Sequence, residues 1–274
     1  MERQIESHQL MLVSDSYEIV DETIRANGNF DESLFYEPYK YKELPARLAD
    51  IHKATDEEIL GFARQWGLLG YSEMFADSLS PSDKKKFYNS PDNWGDPILW
   101  IKEHSRTIDR LITLLGLLAN SSDECIDIFL TKWSRKGPQG LIPYSSGTRA
   151  SLSSMGNKQS ISDKARALIT RIINSNTENY VSEVLVLSGK DPQEIARSYK
   201  SKVLLPLIYR HLGDAVVGIT KFYRCNYRFC SKRWPANTEV RGPKNKYCPA
   251  EIGKESLCSR KERYERSKYK KTKV

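Results

Sequence analysis

Four of the five cysteines fall in the last fifty residues, at Cys225, Cys230, Cys248 and Cys258. The gaps between them are four, seventeen and nine residues. Four thiols can saturate a tetrahedral ion, and zinc takes thiolates in that geometry. The first pair is close enough to form a knuckle, and the seventeen-residue gap is long enough for a hairpin that returns the chain to the metal. Gly242-Pro243-Lys244-Asn245 supplies a turn signal inside it. With all four positions filled by protein, no site remains for a reacting water. The reading is one structural Zn2+ held by Cys225, Cys230, Cys248 and Cys258.

The residues around these cysteines are basic. From 221 to 274 the chain has 17 Lys and Arg against 5 Asp and Glu. The whole chain carries a formal +8, so residues 1–220 are net −4. An acidic body joined to a basic end is the asymmetry expected when one part meets a polyanion. The candidate nucleic-acid contacts are Arg228, Lys232, Arg233, Lys244, Lys246, Arg260, Lys261, Arg263, Arg266, Lys268, Lys270 and Lys271. Ser259 and Glu262 form a capping-box pattern, which predicts that the tail begins as a helix at Ser259. Tyr227, Phe229, Trp234 and Tyr247 are aromatic rings on which single-stranded bases could stack.

These groups need a scaffold. Gln9 to Glu18 and Phe35 to Tyr41 read as strands, and Asn27-Gly28-Asn29 as a turn. Thr55 with Glu58 caps a helix carrying Ile59, Phe62, Ala63 and Trp66, with Gly67 or Gly70 as its stop. A long helix runs from about Pro97 to Ala119, with Trp100, Ile101, His104, Ile108, Leu111 and Ile112 on one face. Another spans Ser122 to Trp133, where Cys125 reads as a small core residue. In 134–163, fourteen of thirty residues are Gly, Pro or Ser, which reads as an exposed loop or hinge. Helical periodicity resumes at Asp163, Asp191-Pro192 reads as a further helix start, and a last apolar helix runs from Leu204 to about Gly218.

The expected fold is therefore α+β. It has a mostly α-helical body with a short N-terminal β region, then a small zinc-binding module and a basic helix. The expected divisions are 1–133, 134–163, 164–220 and 221–274. No apolar run approaches the roughly 20 residues that span a bilayer. Without a visible secretory signal, the chain reads as cytoplasmic, where clustered thiols serve metals rather than disulfides. His104 and His211 lie on apolar helical faces and read as hydrogen-bonded core residues. No nucleophile, phosphate-loop or metalloprotease motif is present, and the reading is not an enzyme.

From Lys202 to Lys271 the chain resembles the CGNR-type zinc-finger proteins of bacteria. The likeness rests on the apolar helix from Leu204, the basic and aromatic link, Cys225-x4-Cys230, Trp234, and a second cysteine pair leading into a basic helix. A weaker likeness to the N-terminal ABATE domain of such proteins, described as putative stress-induced transcription regulators, covers Trp100-Ile101-Lys102-Glu103-His104-Ser105-Arg106-Thr107. Where the family reads Cys-Gly-Asn-Arg, this chain has Cys258-Ser259-Arg260-Lys261. The resemblance implies a DNA-binding transcription regulator with duplex DNA as partner. Alternatives with the same electrostatics are an RNA- or single-strand-binding or phage-defence factor, and a zinc-stabilised protein-interaction module. A homodimer and a small-molecule effector are further partners that the sequence leaves open.

Overall fold

A computed structural model describes residues 11–12, 16–26, 35–36, 38, 41–90, 93–134, 141–143, 149–152, 159–187, 195–201, 203–217, 222–225, 227, 230, 233–235, 247 and 256–271. Among these, helix predominates and the sheets are small. Strand β1 (Met11–Leu12) pairs antiparallel with β4 (Phe35–Tyr36). Strands β2 (Tyr17–Val20), β3 (Thr23–Ala26) and β5 (Asp96–Pro97) form a three-stranded antiparallel sheet. The predicted first strand is thus two, belonging to different sheets. The predicted turn at 27–29 lies outside the described residues. The β2–β3 turn is Asp21-Glu22, with φ of 49° and 58°. Such two-residue hairpins favour Asn-Gly, so Asp-Glu gave no warning.

The helical frame follows the apolar periodicity closely. Helices α1 (Leu44–Asp50), α2 (Asp56–Trp66), α3 (Tyr71–Asp77) and α4 (Pro81–Tyr88) precede the long α5 (Ile98–Asn120) and α6 (Asp123–Trp133). The capping box is complete: the Glu58 N–H donates to Thr55 Oγ1 at 3.3 Å, and the Thr55 N–H donates to Glu58 Oε2 at 2.8 Å. Gly67 ends α2 with φ of 85°. In α6 the buried stripe is Ile126, Leu130 and Trp133. That stripe leaves Cys125 exposed rather than in the core.

The described part of 134–163 contains a hairpin of β6 (Leu141–Pro143) and β7 (Arg149–Ser151). Ile142, Ala150 and Leu152 are fully buried, so these residues belong to the core and not to an exposed loop. Helix α7 (Ile161–Thr177) starts from Ser160, whose Oγ accepts the Asp163 N–H at 3.1 Å. Among the described residues, no helix directly follows Asp191-Pro192. Strands β8 (Val181–Leu187) and β9 (Ile195–Ser201) instead form a seven-residue ladder. Helix α8 (Leu204–Val216) is almost entirely buried.

Helix α5 lies at the centre, against α1, α6, α7 and α8. The core they enclose includes Leu44, Leu48, Ile108, Leu111, Leu168, Ile172, Leu204 and Ile208. Two loops are tied together at one corner. Asp96 is buried and its carboxylate accepts the N–H groups of Leu69, Gly70 (3.1 Å) and Tyr71 (2.7 Å). Gly70 has φ of 97°, and a Cβ there would overlap the Val203 side chain. Glycine is needed there because the α8 entry passes so closely: the Leu205 N–H donates to the Leu69 carbonyl at 3.0 Å.

Candidate metal centre and basic helix

Three of the four predicted ligands come together. The sulfurs of Cys225, Cys230 and Cys258 all lie within 4.8 Å of one another. Cys248 lies outside the described residues. Cys225 is buried, and Cys230 and Cys258 are half-buried. Sulfurs on a tetrahedral zinc sit about 3.8 Å apart, given Zn–S bonds of about 2.3 Å. A cluster whose sulfurs lie within 4.8 Å of one another is compatible with that spacing. Three soft thiol donors suit a thiophilic ion and are a poor match for magnesium or calcium.

Each ligand has its own support. Cys225 immediately follows β10 (Phe222–Arg224), which pairs with β11 (Arg233–Pro235). In register, Tyr223 faces Trp234 and Arg224 faces Arg233. This hairpin packs on the body, β10 near α5 and β11 near α1. Between the first two cysteines the chain turns on itself, and the Cys230 N–H donates to the Tyr227 carbonyl at 2.8 Å. Cys258 is the second residue of α9 (Leu257–Lys271). There the positive end of the helix dipole favours the negative charge of a thiolate.

The basic helix exists but begins earlier than Ser259. The Arg260 N–H donates to the Ser256 carbonyl at 3.1 Å, so Ser256 flanks the first turn and Ser259 lies inside it. Arg260, Lys261 and Arg263 are exposed on α9. Arg266, Lys268, Lys270 and Lys271 continue the same helix. Arg233 lies on β11. Arg228, Lys232, Lys244 and Lys246 lie outside the described residues.

Two residues that the metal pattern did not flag complete the site. Tyr227 is 8% exposed, and its hydroxyl donates to Glu265 Oε1 at 2.8 Å. It is therefore no stacking platform, as its place between two ligands could have suggested. Glu265 lies seven residues after Cys258, on the same helical stripe.

Elsewhere, the two core histidines are where the sequence put them. His104 is 2% exposed and its Nδ1 shares a hydrogen bond of 3.0 Å with the Tyr209 hydroxyl. Burial pushes its pKa down to about 3. His211 is buried as well and is pushed down to about 4. Among the described residues no helix is long and apolar enough to cross a membrane.

Compared with family models, curated proteins and solved structures, the chain matches none. The likeness to the CGNR proteins accordingly stands on the residues quoted above alone.

Proposed function

We propose that this chain is a duplex-DNA-binding transcription regulator whose C-terminal module is held by one structural zinc ion. Cys225, Cys230 and Cys258 would hold the ion, with Cys248 as the fourth thiolate. When bound, the ion supplies a rigid tetrahedral junction and no reaction chemistry. The regulatory role follows the resemblance to CGNR proteins, and a reducing cytoplasm would keep the thiols available.

One observation carries the reading. Helix α9 begins with Cys258 in the three-cysteine cluster and presents Arg260, Lys261 and Arg263 to solvent. A basic helix fixed at one end to a compact knuckle can enter a groove or lie along phosphates. Lys and Arg side chains there would release counterions from the duplex. Arg260 and Arg263 are the side chains suited to guanine, through two parallel N–H bonds.

The test is binding of the full chain, with zinc quantified, to a fluorescent duplex across a salt series. Affinity is expected to fall steeply with salt, and Lys261→Ala, which removes a phosphate contact, should reduce the log–log slope by about one. A flat response, or no binding at moderate salt, defeats the reading and leaves a protein-docking module. Tyr264, 69% exposed on α9, favours testing single strands alongside, because an exposed ring can stack on a base. Competition by hairpin RNA and single-stranded DNA ranks the three partners directly.

A further inference from the structure

The described side chains of α9 separate into two faces. At about 100° per residue, Cys258, Glu262 and Glu265 fall on one stripe. All three are half-buried, whereas Leu257, Arg260, Lys261, Arg263 and Tyr264 are exposed. Glu262 and Glu265 are the only acidic residues in the helix. Both of its negative charges thus lie on the stripe that carries the metal ligand.

A single anchor at Cys258 does not fix a helix. It leaves the helix able to pivot at the sulfur and roll about its axis. A second anchor further along removes both freedoms. The Tyr227–Glu265 hydrogen bond is placed to do this, about 10 Å along the axis from Cys258. Tyr227 is itself rigidly set, since it is buried and its carbonyl closes the turn to Cys230.

We propose that Tyr227 is the positioning residue of the nucleic-acid site. Its hydroxyl locks Glu265 inward and so fixes which face of α9 meets the duplex. This inference rests on the DNA-binding reading above.

The test compares Tyr227→Phe, Glu265→Ala, Glu265→Gln and the double variant Tyr227→Phe/Glu265→Ala in the full chain. The probe is a fluorescent duplex at fixed salt, with cobalt substituted at the metal site as a spectroscopic control. Tyr227→Phe is expected to keep the cobalt–thiolate spectrum and to weaken duplex binding about tenfold, the range for losing a hydrogen bond to a charged group. Glu265→Ala should weaken binding similarly, although it removes a negative charge near a polyanion. Electrostatics alone predicts tighter binding for that variant, so the sign is decisive. Glu265→Gln keeps an acceptor oxygen and should bind at least as well as the wild type. The double variant should lose no more than either single one.

Wild-type affinity in Tyr227→Phe, or tighter binding by Glu265→Ala, would overturn the proposal. So would loss of the cobalt spectrum in Tyr227→Phe and in Glu265→Ala, which would make the contact part of the metal fold alone. A wild-type protein that holds metal but ignores DNA defeats the functional reading itself, a result distinct from all of these.

Discussion

Asp96 shows how much one side chain can hold. Three consecutive N–H groups, from Leu69 to Tyr71, converge on its two carboxylate oxygens, and Ser72 adds bonds to the Asn93 and Gly95 carbonyls beside it. An asparagine offers one acceptor oxygen and sets an NH2 against the remaining donor. Asp96→Asn should therefore cost roughly 1–3 kcal/mol, the penalty for a buried donor left unpaired, read by urea denaturation at pH 8. His104 makes a pH prediction. Its folded pKa of about 3 lies below the ordinary 6.5, so the unfolded chain takes up the proton first. Stability from this group is complete above pH 6.5 and is lost as pH falls towards 3. Asp96 acts in the opposite sense, because burial raises its carboxyl from 3.8 to about 7 and its contribution fades as pH rises through that range. Comparing His104→Gln with the wild type isolates the histidine. The penalty of the substitution should shrink by roughly 2 kcal/mol between pH 7 and pH 4.5, measured by chemical denaturation.

At the scale of elements, helices were legible where their signals are local. Thr55 and Glu58 both sit within one turn of the helix they start, so four residues suffice to see the box. Thr55→Ala should cost about 1 kcal/mol through loss of that cap, with a matching fall in thermal midpoint. Helix α5 was equally clear, since its stripe from Trp100 to Ile112 repeats three times. The β8–β9 ladder was missed for the opposite reason. Its stability comes from pairing Val181 with Ser201 and Leu187 with Ile195, partners that no local window joins. An Asp-Pro pair suits a turn as well as a helix start, and local chemistry cannot choose between them. The buried hairpin at Ile142 and Ala150 was hidden by composition, because glycine, proline and serine dominate the residues around it. In the candidate site the cysteines were legible from spacing. The Tyr227–Glu265 contact was not, since it depends on how α9 folds back across 38 positions of sequence.

For the whole molecule the question is how tightly the metal module is coupled to the body. The β10–β11 hairpin rests on α5 and α1, and α9 meets the cysteine turn through Cys258 and the Tyr227–Glu265 contact. The body core, from Tyr17 to Leu212, contains none of the three clustered cysteines. Metal binding can supply about 10–16 kcal/mol to a small finger that folds only around its ion. Here that energy should be confined to the module. Cys258→Ser is therefore expected to release the metal and abolish duplex binding while the body still unfolds cooperatively at nearly the same urea midpoint. Circular dichroism should show loss of no more helix than α9 contributes. A collapse of the whole helical signal would instead mean that the hairpin transmits the metal's stabilisation into α1 and α5, and that body and module fold as one unit. A chelator added to the wild-type protein should reproduce the variant, and restoring zinc should reverse it. That reversibility would separate loss of the ion from irreversible damage to the thiols.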